Sequence, residues 1–117
     1  MQFQSDKPIY LQIIDIVMEK ILKDEWQVGE KILSVREFAS SVEVNPNTVM
    51  RAYDKLQQDE IIFNKRGLGL FVAENAVQII LKEKKENFIQ VEAPKFFQTA
   101  KLLKITEEEL IELYKSN

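Results

Sequence analysis

A chain of 117 residues with neither histidine nor cysteine has no imidazole base, no thiolate and no disulfide, which excludes the usual nucleophile-and-base pairs and the zinc sites built on those side chains. Its 19 Asp and Glu residues offer carboxylate pairs, yet no pattern points to a pocket holding a substrate between two of them. Neither an enzyme nor a metal or cofactor is expected. Three groups of donors stand out instead: Ser34 with Arg36; Asn47, Thr48 and Arg51; and Lys65, Arg66 and Gly67. Arginine forks onto guanine or phosphate, asparagine pairs with adenine, and threonine brings a hydroxyl and a methyl that fits thymine. A basic turn with a glycine that lets the backbone come close suits a minor groove or its phosphates. Taken singly, each group has a plainer use: Arg36 could pair with Glu37 or Glu43, Arg51 with Asp54, and Lys65-Arg66 could be a solvated turn. Together they fit double-stranded DNA, provided that the elements carrying them aim in one direction.

The apolar periodicity supplies those elements. Pro8 suits a helix's first turn, and Tyr10, Ile13, Ile14, Val17, Ile21 and Leu22 recur at three- and four-residue spacing, which predicts a helix over about residues 8–24. Trp26 and Gly29 mark a turn, with a short extended piece over 31–33. Ser34 and Glu37 stand as a capping box that starts a two-turn helix with Val35, Phe38, Ala39 and Val42 inward. Asn45 as N-cap and Pro46 as first helical residue start a third helix, about 46–58, with Val49, Ala52, Tyr53 and Leu56 inside and Asn47, Thr48, Arg51 and Lys55 outside. Its N-terminal amides are expected to be free for a phosphate. Residues 61–64 and 69–72 read as strands of a hairpin with a basic tip. Two short helices, a tight turn and a hairpin make a winged helix-turn-helix.

Net charge is −3, and residues 1–73 hold nine Lys and Arg against eleven Asp and Glu. A DNA-binding domain is commonly basic. The bases must therefore be gathered on one face, and affinity must come from placement and from doubling in a dimer.

The segments Pro8-Ile9-Tyr10, Gly29 through Ala39, Asn47 through Tyr53 and Lys65 through Val72 resemble the GntR family of bacterial regulators, in the right order and spacing over about residues 8–73. The short remainder resembles the YtrA subfamily, whose tail is a dimerising helical arm. The resemblance implies that Ser34, Arg36, Thr48, Arg51 and Gly67 contact DNA. Three positions depart from the family pattern: Leu33 stands where proline is common, and Glu43 and Glu60 where glycine commonly ends a helix. A left-handed Glu43 would carry about 1 kcal/mol of strain.

Beyond residue 73 the pattern is helical again, with Val77, Ile80, Leu81, Phe88 and Val91 on one side, Pro94 expected to kink or interrupt it, and Phe96, Phe97, Leu102 and Leu103 resuming it. Thr106 should cap a last helix. The expected fold is thus mainly α with a small β-hairpin wing: a winged helix-turn-helix over 1–73 and a C-terminal helical dimerisation arm over 74–117. The tail holds too little core to stand alone, so a homodimer on a two-fold symmetric operator is expected. Phe88, Phe96 and Phe97 would form the dimer core, or line a site for a small-molecule effector of unknown identity. No apolar run is long enough for a membrane span and no signal-peptide core follows Met1, so the cytoplasm is expected. The expected function is a DNA-binding transcription regulator, a repressor; the competing one is a winged helix that docks a protein.

Overall fold

The computed structural model describes Phe3 and residues 6–117; residues 1, 2, 4 and 5, which belong to the expected 1–73 region, lie outside the described residues. The chain divides into two compact units, one reaching Leu81 and the other running from Lys82 to Asn117. In the first, helix α1 (Ile9–Leu22) buries Ile13, Ile14, Val17, Met18 and Ile21 along one stripe. Pro8 takes the N-cap place, one position before the helix, and its carbonyl accepts the amides of Leu11 and Gln12. Helix α2 (Val35–Val42) opens on the expected capping box: the Ser34 hydroxyl accepts the Glu37 amide at 3.1 Å and the Glu37 carboxylate accepts the Ser34 amide at 2.9 Å. These bonds, the backbone one foremost, hold the Glu37 carboxyl below the ordinary carboxylate value.

Helix α3 (Pro46–Gln58) has the expected bounds and buries Val49, Ala52, Tyr53 and Leu56. Strands β1 (Ile62–Lys65) and β2 (Gly69–Val72) form an antiparallel hairpin with Ile62 opposite Val72, Phe63 opposite Phe71 and Lys65 opposite Gly69. Ile61, expected as a strand residue, instead closes α3 through its amide bond to the Leu56 carbonyl. The short extended piece before α2 is present and lies along the other edge of β2: Lys31 bridges Phe71, and the Gly29 and Ile32 amides donate to Val72 and Leu70. The arrangement is a winged helix-turn-helix followed by helices, as the residue pattern predicted.

Helix α4 (Ala76–Asn87) begins in the first unit, with Ala76 and Ile80 buried in its core. The second unit carries a π-helical turn (Phe88–Glu92), helix α5 (Ala93–Leu102) and helix α6 (Glu107–Ser116), the last opened by a second capping box of Thr106 and Glu109. Pro94 interrupts the α hydrogen-bond ladder as expected, but it does not end the helix. The chain keeps right-handed helical angles at Asn87, Glu92 and Ala93, and the Ala93 amide reaches back five residues to Phe88. A wider turn ahead of the proline relieves the clash that its ring would make with the carbonyl four residues before it.

Four helices end alike. Glu25, Val44, Ile61 and Ile105 each donate an amide to the carbonyl five residues earlier, and the residue before each of them, Asp24, Glu43, Glu60 and Lys104, has φ between 56° and 62°. This is the Schellman arrangement, whose left-handed position is ordinarily glycine. The glycines of this chain are spent elsewhere, two of them at the hairpin, so these side chains bear the steric cost of the left-handed region.

One partly buried bond ties α3 to the start of α2. The Tyr53 hydroxyl, on α3, donates to the Leu33 carbonyl at 2.9 Å, just before α2 begins. The Tyr53 ring packs against Phe38, with centroids 5.9 Å apart, and Phe38 against Trp26 at 6.1 Å.

Replacing Glu43 by glycine should raise unfolding stability by about 0.5–1 kcal/mol, measured by urea denaturation, as strain relief exceeds the added unfolded-state entropy. Burial, and secondarily the charge of Glu37, push the Tyr53 phenol above its ordinary pKa. Its folded-state pKa is the higher one, so the stability it brings is complete below about pH 10 and is lost as pH rises beyond that, where the unfolded phenol ionises. Tyr53→Phe should cost about 1 kcal/mol at neutral pH and should flatten the alkaline limb of the stability profile.

Candidate nucleic-acid interface

Ser34 lies exposed at the N-cap of α2, and its hydroxyl hydrogen remains available after the oxygen has accepted the Glu37 amide. Arg36, at the second position of α2, is exposed and makes no ion pair among the described residues, so the pairing with Glu37 or Glu43 does not occur. On α3, Asn47 and Arg51 are exposed and Thr48 is half-buried. One expectation for α3 is corrected. Its first turn has no free amide for a phosphate, because Pro46 has no N–H, the Asn45 side chain accepts the Asn47 amide at 2.8 Å, and the Asn45 carbonyl accepts the amides of Thr48 and Val49. Anion contacts on this helix must come from side chains.

Arg51 does not pair with Asp54. Its guanidinium carbon instead lies 3.8 Å from the centre of the Tyr10 ring on α1, a stacked cation–π contact. Sequence reasoning placed Tyr10 in the apolar stripe of α1, and its ring does pack on the core. Nothing in the linear pattern joins residue 10 to residue 51; only the packing of α1 on α3 does.

At the hairpin, Arg66, Gly67 and Leu68 form the tip, closed by the Leu68 amide to the Lys65 carbonyl at 2.8 Å, with Gly67 at φ 81°. That angle favours glycine, which has no Cβ to clash. Alternation along the strands puts Phe63, Lys65, Gly69 and Phe71 on the outer face. The two phenylalanines stack at 5.9 Å, and the Lys65 ammonium lies 4.8 Å from the Phe71 ring and 5.7 Å from that of Phe63. Lys31, which sequence reasoning did not single out, joins this face. It stands opposite Phe71 and lays its chain across Gly69, where an added Cβ would come within 2.8 Å of the Lys31 Cε.

Ion pairing divides the bases of residues 1–73 into two sets. Lys7, Lys20, Lys23 and Lys55 are engaged by Asp15, Glu25, Glu19 and Asp59. The remaining bases of residues 1–73, Lys31, Arg36, Arg51, Lys65 and Arg66, make no ion pair among the described residues, and they sit on the approach to α2, on α2, on α3 and on the hairpin. The paired bases lie at and around α1 and at the far end of α3, while the hairpin tip carries Lys65 and Arg66 without an acid; Glu37 and Glu43 at α2 and Asp54 on α3 are left without an ion pair among the described residues.

In the second unit, Phe88, Phe96, Phe97, Leu110, Ile111 and Tyr114 contribute to an open groove of about 870 Å³ whose walls are almost wholly apolar. No helix of the described residues is long and apolar enough to cross a membrane.

Residues 9–72 match the family described as "Bacterial regulatory proteins, gntR family". The chain is 40% identical over 111 residues to the uncharacterized HTH-type transcriptional regulator YhcF of Bacillus subtilis (strain 168), covering 95% of this chain and 90% of that protein. It is 42% identical over 81 residues to the HTH-type transcriptional repressor YtrA of the same organism, covering 69% of this chain and 62% of YtrA. A solved GntR family transcriptional regulator from Listeria monocytogenes superposes with a TM-score of 0.80 at 32% identity, over 98% of this chain and 99% of that one. With the helix-turn-helix, the wing and these matches in agreement, the chain belongs to the GntR family of sequence-specific DNA-binding transcription regulators.

Proposed function

We propose that this regulator is a YtrA-like repressor that binds a two-fold symmetric operator as a homodimer in the cytoplasm. The observation that carries the DNA contact is the set of unpaired bases on α2, α3 and the hairpin. In this reading residues 1–73 form the DNA-binding region. The α3 helix enters the major groove, Asn47 and Thr48 meet base edges, and Arg36 forks onto a guanine or phosphate beside the Ser34 hydroxyl, while Arg51 supplies a further donor. Lys65, Arg66 and the Gly67 backbone meet the adjacent minor groove and its phosphates. Repression is supported by the similarity to the B. subtilis repressor YtrA.

Residues 74–117 serve as the dimerisation arm. Phe96 and Phe97 are 57% and 48% exposed, Leu102 81% and Tyr114 86%, and so much apolar surface in one short segment is typical of a face that another chain covers. The apolar groove is also the place where a small-molecule effector would bind, and its walls would select an apolar one.

Selection of bound duplexes from a random pool should enrich a motif with two-fold symmetry. Binding should weaken steeply with salt, by a slope near 0.9 per phosphate neutralised, and Arg36→Ala should cost about 1–3 kcal/mol of operator affinity. Absence of any enriched duplex would favour the protein-docking alternative. For the arm, Phe97→Glu should convert the dimer to monomer in sedimentation, and operator affinity should fall with it; an unchanged sedimentation coefficient would count against this face as the interface.

A further inference from the structure

Arg51 is the exposed base of α3 that is fixed by a residue from another helix. Its guanidinium stacks at 3.8 Å on Tyr10, in the first turn of α1, and the Tyr10 ring is itself packed against the buried core of the first unit. The contact leaves the edges of the guanidinium open, because a cation–π stack occupies its face and its N–H groups point outward in its plane. Asp54, one turn along the same helix and exposed, does not draw it away. The inner stripe of α3 is Val49, Ala52, Tyr53 and Leu56, which puts Asn47 and Arg51 outside. The stack then draws Arg51 toward α1, to the flank of the surface that Asn47 leads. A group at the flank of a helix lying in the major groove meets the sugar-phosphate wall rather than the base edges.

We propose that Tyr10 is a positioning residue for DNA binding: it holds Arg51 as a phosphate clamp on the α1 side of α3, leaving base recognition to the other side chains of that helix. The inference rests on the DNA-contact reading above and adds a residue and a division of labour to it. A held guanidinium loses less rotational freedom on binding than a free one. The test uses the full-length chain and a duplex that the unmodified chain enriches from a random pool, with affinity read by fluorescence anisotropy at several salt concentrations.

Tyr10→Phe, which keeps the ring, should bind as the unmodified chain does. Tyr10→Leu should weaken binding about two- to fivefold, yet should have no effect once Arg51→Ala is present. Arg51→Ala should lower the salt slope by about one phosphate and leave the selected sequence unchanged. Arg51→Lys, which retains the charge without the planar stack, should lose a similar factor to Tyr10→Leu while keeping the salt slope; it reads the same contact should Tyr10→Leu fail to fold. Equal weakening by Tyr10→Leu in both backgrounds, unmodified affinity in Arg51→Lys, or a changed selected motif in Arg51→Ala would each overturn the proposal. Failure to enrich any duplex would instead remove the DNA-contact reading beneath it.

Discussion

Binding a polyanion with a chain that carries more acids than bases requires that the bases left unpaired share a surface. Lys20, Lys23 and Lys55 are tied to nearby acids on or beside their own helices, Lys7 to Asp15 on α1, while Arg36, Arg66 and the lysines of the hairpin face make no ion pair among the described residues. Exposed pairs of this kind add little to stability. Their consequence is electrostatic: they set aside four bases and four acids, while Glu37 and Glu43 remain at α2 and Asp54 on α3, and at physiological ionic strength charges more than about 8 Å apart are largely screened from each other. The net charge of the chain then says little about the field at α2, α3 and the hairpin.

Much of this was legible in the sequence. The capping box of Ser34 and Glu37, the Asn45-Pro46 start, the inner stripe of α3 and the hairpin bounds at Gly69 and Val72 all follow from rules that act within a few residues. What the linear pattern could not supply were contacts between distant segments. The stack of Arg51 on Tyr10, the path of Lys31 along β2 and the Tyr53 bond to Leu33 join residues far apart in the chain. The engaged amides at the start of α3 were missed for a different reason. Asn45 was recognised as a cap, but the capping bond itself uses the donor that a phosphate would need.

Pro94 is instructive in the same way. A proline within an apolar-periodic stretch is read as a break, because the α-helix has no room for its ring. The π-turn from Phe88 to Glu92 makes that room, and a helix resumes at once. Wider helical turns leave no periodic signature in a short sequence, so the proline signalled an irregularity without saying which kind.

The extended piece at residues 29–32 is hydrogen-bonded to β2 and runs directly into the cap of α2, whose preceding carbonyl is held by Tyr53 from α3. Wing, cap and third helix are thereby linked through one run of backbone and side-chain hydrogen bonds. If two such linked units are paired as proposed above, the distance and tilt between them set the fit to successive turns of the duplex, and any change in that spacing would act like callipers opened past their mark.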